Sequence, residues 1–353
     1  MPDTFDALPA MTRRSAFTLP LATAALATAA GRAMAGPPQP TPTETAEPLG
    51  IGLEGWPYPG PVSFLPLVMG GQSVRMAYMD FAPTSGANGR AILLLHGKNF
   101  DGSYWSGPVD WLRGAGFRVI VPDQIGFNKS SKPDLDYSFE ALARNTLALA
   151  DALSLGRITL FGHSTGGALA VRMASIAPDR IEQLVLEDPI GLVDYRAFIP
   201  PQETETLVAA EHAYTIASYR AFIAHFFPLL PKNSYEPFVT WRMRTTLSSE
   251  FDRFARASAL TYQMIYREPT RPLYASLPMP VLLTAGTKDH SAPLISYASA
   301  AARAAMPGIH PAAQQAVNEL RNGRFISFSD AGHVPHLEMP ERFRAELLSF
   351  VKS

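Results

Sequence analysis

The chain predicts an α/β fold: a mainly parallel sheet covered on both faces by helices, with a helical insertion late in the sheet. Three observations carry that prediction. From about residue 62 onward, short apolar runs alternate with helical patterns, the signature of strands buried on both faces. Nearly every run ends in a polar or glycine-bearing turn, as at His96-Gly97, Pro122-Asp123, Glu187-Asp188 and Gly286. The rhythm breaks between Gly191 and Arg271, about 80 residues without a clear strand but crowded with aromatic side chains.

The elements follow in order. Thr12-Arg13-Arg14-Ser15 opens a positively charged stretch, Ala16–Gly31 is uncharged and rich in Ala and Leu, and Ala33-Met34-Ala35 is an Ala-x-Ala pattern. That is the layout of a signal peptide over 1–35, cut before Gly36, and it predicts recognition by the export machinery and a periplasmic or secreted protein. The arginine pair suggests the twin-arginine route, although Phe17 lies one position later than usual for it. The apolar run is short for a membrane span. Residues 36–61 are rich in Pro, Thr and Gly and read as a linker, so the folded body is expected from residue 62.

Val62–Val68 and Val74–Asp80 read as antiparallel strands joined through Gly70-Gly71. Ala91–Leu95, Phe117–Val121, Ile158–Phe161, Leu184–Leu186, Val281–Leu283 and Arg324–Phe328 read as buried strands. Helices are expected near Gly107–Gly114, Ser138–Leu155, Thr165–Ala177 and Glu341–Val351. The expected organisation is a core over 62–190, a helical cap over 191–271 and the rest of the core over 272–353. Ser291–Asn322 is a second, smaller excursion. In open α/β sheets, residues that handle ligands gather at the carboxyl ends of the strands.

Composition excludes several classes of function. Lys plus Arg number 30 against 31 Asp plus Glu, with no charged block, so no electrostatic footprint for nucleic acid is present. The chain has no cysteine, which removes disulfides, thiol catalysis and cysteine-based metal sites together. No dinucleotide or phosphate loop and no metal-ligand pattern is legible, and neither cofactor nor metal is expected.

The most informative stretch is Gly162-His163-Ser164-Thr165-Gly166, a G-x-S-x-G between an expected strand and an expected helix. Such a turn strains the serine backbone, needs glycines two positions away on each side, and lifts the hydroxyl toward a helix N-terminus. Ser164 is therefore the candidate nucleophile. A base and an orienting acid should follow in the order Ser, Asp or Glu, His. His333 lies in Gly332-His333-Val334, directly after the last strand, and is the candidate base; His336 reads better as a packed or surface residue. Asp289, after the strand that follows the insertion, is the first choice of acid, and Asp188, before it, is the alternative. An oxyanion hole needs converging backbone N–H groups. Thr165 should supply one, and the turn after Leu95 the other, from Lys98 or, as second choice, Asn99. The Lys98 side chain is expected to point to solvent.

With these motifs in hand, the sequence resembles the cap-bearing branch of the α/β-hydrolase superfamily over about residues 62–352. The resemblance rests on His96-Gly97, Pro122 to Ser130, the Ser164 turn, Gly286 to Asp289 and Gly332-His333. It implies an eight-stranded sheet with a cap inserted after the sixth strand, and a chiefly structural role for the loop holding Asp123. Epoxide hydrolases and haloalkane dehalogenases of this branch place aspartate where this chain has Ser164, so the resemblance implies acyl transfer to water instead. The activity expected is hydrolysis of carboxylic esters, lactones included, with a fairly bulky apolar or aromatic small molecule as substrate. Aminopeptidase or amidase, C–C bond hydrolase and perhydrolase activities are the alternatives on the same triad, with Glu203, Glu205 and Glu211 available to hold a substrate amine. A binding protein on a hydrolase scaffold is the alternative outside enzymes.

Overall fold

The structure is a computed structural model that describes residues 47–353. The signal peptide expected over 1–35, and the first part of the linker, lie outside the described residues. Among the described residues, eight strands form one sheet: β1 (Val62–Met69), β2 (Gln72–Phe81), β3 (Ala91–Leu95), β4 (Arg118–Pro122), β5 (Ile158–His163), β6 (Ile181–Glu187), β7 (Val281–Gly286) and β8 (Gly323–Phe328). Their order is β1-β2-β4-β3-β5-β6-β7-β8. The β1–β2 and β2–β4 pairings are antiparallel, and the remaining five are parallel.

The helices are α1 (Ser106–Gly114), α2 (Phe139–Ala152), α3 (Thr165–Ile176), α4 (Thr204–His212), α5 (Ile216–Ala224), α6 (Lys232–Thr245), α7 (Phe251–Arg267), α8 (Ala300–Ala305), α9 (Ile309–Ala316), α10 (Pro335–Glu338) and α11 (Pro340–Val351). Among the described residues, no helix is long and apolar enough to cross a membrane. Alternate side chains of a strand point to opposite faces, and the core divides accordingly. Leu93 and Leu95 of β3 and Leu160 of β5 pack with Leu142 of α2 and Leu169 of α3. Ile92, Leu94 and Phe161, from the same two strands, pack with Leu112 of α1 and Phe343 of α11. Every residue of β3, β5 and β7 is buried, which is why these strands read as unbroken apolar runs.

Two features position the site. From β3 the chain crosses to β4 on one side and returns to β5 on the other, so the carboxyl ends of β3 and β5 flank a topological switch point. Between β6 and β7 lie α4 to α7, with α4 packed on α7 and α5 on α6.

The linker reading is corrected for residues 47–61. Leu49, Leu53 and Trp56 are buried with Trp241 of α6, the Leu49 N–H donates to the Arg244 carbonyl, and the Trp56 indole N–H donates to Asp101 at 3.0 Å. The folded body therefore starts before residue 62. Proline content set the expectation, but a few large apolar side chains spaced between prolines suffice to dock an extended segment, because burial scales with apolar area and not with regular structure.

Candidate active site

Ser164 stands between β5 and α3 with φ of 54° and ψ of −116°. A non-glycine residue in that region costs about 1–3 kcal/mol and persists only where its surroundings over-determine it. Here the Ser164 N–H donates to the Glu187 carbonyl at 2.9 Å, and its carbonyl accepts from Gly167 at 2.9 Å and Ile190 at 3.2 Å. The flanking glycines are there for space. A Cβ on Gly166 would lie 1.9 Å from the Leu95 carbonyl oxygen, and one on Gly162 would lie 2.3 Å from the Gly166 oxygen. Both clashes are with backbone, which cannot swing aside. Gly166→Ala should therefore cost about 3 kcal/mol or more in urea unfolding; a loss below about 1 kcal/mol would mean that β3 and α3 part easily.

His333 follows β8, and its Nδ1 lies 2.8 Å from Oδ2 of Asp289, which follows β7. Both side chains are buried. Asp289 also accepts the Ser291 N–H at 2.8 Å. Burial opposes its charge, but the facing His333 and the hydrogen bonds around it hold the carboxyl below its ordinary range. Asp188 is near but differently engaged: its Oδ1 accepts the Gly286 N–H at 2.9 Å. Burial, and then the Asp289 carboxylate, hold it well above the usual range. Ligand-capable atoms of Asp188, Asp289 and His333 lie within 4.8 Å of one another. The 2.8 Å His333–Asp289 contact is a direct hydrogen bond, too short to admit a bridging ion.

His336 is packed inside the protein: it is fully buried, with Nδ1 2.7 Å from Oε2 of Glu187 and its ring stacked on Trp105. His310 lies 2.8 Å from the Ser327 hydroxyl, and His290 borders the cavity. Asp123 accepts from Tyr58, Asn128 and Lys129, which ties its loop together as the resemblance implied.

Two supports escaped the sequence reading. The Gly97 N–H donates to the Tyr104 hydroxyl at 3.0 Å, that hydroxyl lies 3.2 Å from His163 Nδ1, and His163 Nε2 lies 2.8 Å from the His333 carbonyl. If Tyr104 donates onward, His163 is a neutral ring protonated on Nε2. Burial, and then the neighbouring His333 and His336, push it well below its ordinary range and favour that state. His163, the residue before Ser164, thus ties the turn after β3 to the loop carrying His333. Glu338 accepts the N–H groups of Gly332 at 2.6 Å and Leu229 at 3.0 Å, pinning that loop to the chain after α5. The available signals were His163's place inside the G-x-S-x-G and Glu338's place five residues after His333.

Ser164, His333, Thr165, Lys98 and Asn99 all line one cavity of about 400 Å³. Its apolar walls include Leu207, Phe222, Phe226 and Ile265 from the insertion and Ile295 from the 291–322 excursion, which sequence had left without a role. Thr165 is the first residue of α3, so its N–H has no carbonyl a turn earlier to bond. The expected direction of the Lys98 side chain is corrected. Its Nζ donates to the Ser258 carbonyl at 2.9 Å, the Ser258 hydroxyl at 3.0 Å and the Thr261 hydroxyl at 2.7 Å, and lies 4.0 Å from the Tyr262 ring centroid. Burial pushes it down to about 7, against the pull of Glu211. One turn of α7 offers three acceptors and an aromatic face, enough to draw an ammonium away from water.

This architecture matches known proteins. The family model described as alpha/beta hydrolase fold matches residues 90–340. A probable hydrolytic enzyme from Pseudomonas aeruginosa PAO1 is 37% identical, with a TM-score of 0.83 over 86% of this chain and 98% of its own. An uncharacterized protein from Mycobacterium tuberculosis is 37% identical over 105 residues, 30% of each chain. A haloalkane dehalogenase from Mycolicibacterium paratuberculosis is 32% identical over 160 residues, 45% of this chain and 47% of that one. The chain thus spans less than half the length of these curated mycobacterial relatives. With the strand order, the turn at Ser164 and the match over 90–340 all in agreement, the chain belongs to the alpha/beta hydrolase fold family.

Proposed function

We propose that this protein is a serine hydrolase that cleaves carboxylic esters, lactones included, of bulky apolar or aromatic substrates. The observation that carries the reading is the His333–Asp289 hydrogen bond of 2.8 Å, opening onto the cavity that Ser164 also lines. Ser164 attacks the carbonyl while His333 takes its proton through Nε2 and Asp289 holds Nδ1–H. The oxyanion meets the backbone N–H of Thr165 and that of Lys98, with Asn99 as the alternative donor. His333 then protonates the departing alcohol and activates water to release the acid. The scheme needs no metal or organic cofactor.

The apolar walls and the cavity's size suit a bulky acyl or aryl group. Among the glutamates that could hold an amine, Glu203 and Glu205 are exposed. Glu211 lines the cavity but is already engaged by Arg242 and the Ser258 hydroxyl. Aminopeptidase activity therefore draws no support from these residues. The strained Ser164 argues for chemistry over binding alone, since binding needs no strained nucleophile. Export to the periplasm or beyond belongs to the same proposal and is supported by the N-terminal pattern alone.

The test is a rate panel of p-nitrophenyl esters of rising acyl length, aryl esters, lactones, amino-acid amides and a vinylogous 1,5-diketone, with organophosphonate labelling of Ser164. Turnover of an ester or lactone group with labelling at Ser164 supports the reading. Preference for amides or the diketone would replace the substrate class and keep the triad, and an unlabelled, inactive protein would favour a binding scaffold.

A further inference from the structure

Behind the candidate triad lies a second carboxyl group that the proposed mechanism does not use. Asp188 is fully buried, its backbone is left-handed with φ of 41°, and its N–H donates to the Thr284 carbonyl at 2.9 Å. Oδ1 accepts from Gly286, while no N–H or O–H donor among the described residues reaches Oδ2. The groups facing this pair from neighbouring elements are few. Glu187, at the end of β6, is already engaged by His336; Tyr195 lies near Asp289; and His333 touches Asp289 directly.

Two carboxyl groups this close and this buried cannot both be ionised, because each charge raises the cost of the other. The donor count decides which keeps the proton. Asp289 receives two N–H donors, from His333 and Ser291, one of them on the base itself. Asp188 receives one.

We propose that Asp188 is a positioning residue: it stays protonated and donates its O–H from Oδ2 to Asp289, so that a single negative charge, fixed in one rotamer, backs His333. The inference rests on the reading of Ser164, His333 and Asp289 as a triad. It adds a third donor to the acid and keeps the base from being over-stabilised as a cation by two negative charges, which would slow its return of the proton to the leaving group.

The test compares pH profiles of kcat/KM for p-nitrophenyl butyrate in the wild type, Asp188→Asn and Asp188→Ala. Asparagine is neutral and keeps both an acceptor for Gly286 and a donor for Asp289. Asp188→Asn is expected to keep kcat within about threefold and the acid limb within about 0.3 pH unit. Asp188→Ala should lower kcat by roughly tenfold to a hundredfold with little change in KM. A downward shift of the acid limb by about one unit or more in Asp188→Asn would overturn the proposal, since only loss of a negative charge would make the base weaker. If the variants do not fold, infrared spectra of the wild type with isotope-labelled aspartate decide. A protonated aspartyl band should persist at about pH 8, above the range of Asp101, which burial pushes up to about 6; its absence sinks the proposal. Failure of the triad reading itself would look different, as activity that does not depend on Ser164.

Discussion

Replacing Ser164 with alanine should lower kcat by roughly 10⁵–10⁶-fold while leaving thermal unfolding close to that of the wild type. The loss is large because, in the proposed mechanism, nucleophile and base act as one unit, and what remains is the catalysis that oxyanion donors and substrate binding supply alone. Stability should hold because the side chain lines the cavity and alanine keeps the same Cβ at the same left-handed backbone. A glycine at this position makes a useful control. It relieves strain of about 1–3 kcal/mol and adds about 0.5–1 kcal/mol of unfolded-chain entropy, so Ser164→Gly should be as inactive as Ser164→Ala and no less stable. Kinetics with the preferred ester, beside circular dichroism melting curves, check both statements. An alanine variant within tenfold of the wild type would remove Ser164 from the chemistry.

The second large effect is expected at Asp289. Asp289→Asn should drop kcat by roughly 10⁴-fold with KM little changed. In the wild type, Nδ1 lies 2.8 Å from Oδ2, and in the proposed mechanism that contact leaves Nε2 free to take the serine proton. An asparagine whose carbonyl oxygen stays on the Ser291 N–H turns its NH₂ toward His333. The ring then keeps its proton on Nε2, the wrong tautomer for a base, and the charge that steadies the imidazolium is gone. Stability carries a separate signature. Because the Asp289 carboxyl is held below its ordinary value of 3.8, its contribution is complete above that value and fades as pH falls through the lower, folded value. The wild type should lose its advantage over Asp289→Asn only in that acid window. Titrating unfolding free energy against pH for the two proteins checks the sign; an advantage that grew on acidification would contradict it.

How much of this was legible depended on the range of the forces involved. Ala91–Leu95 and Val281–Leu283 were readable as buried strands because a strand covered on both faces needs apolar residues throughout, a rule that acts within a few positions. Ser164 was readable because its strain and its two glycines are local necessities of one tight turn. Chain order and the ends of strands admitted both Asp289, the first choice, and Asp188, and the structure brings Asp289 to His333 Nδ1 while directing Asp188 to Gly286.

The remaining features are contacts between segments that no local rule joins. Lys98 is drawn to Ser258 and Thr261, 160 and 163 positions later; His163 reaches the His333 carbonyl across 170; and Leu53 packs with Trp241. Sequence by itself determined the strand–helix alternation, the tight turn at Ser164 and the likeness to hydrolases, because periodicity and backbone sterics are short-range. Only the tertiary structure decided which buried polar group meets which, because unpaired polar atoms are costly in a low-dielectric interior and bond to whatever the packing of distant segments brings within 3 Å.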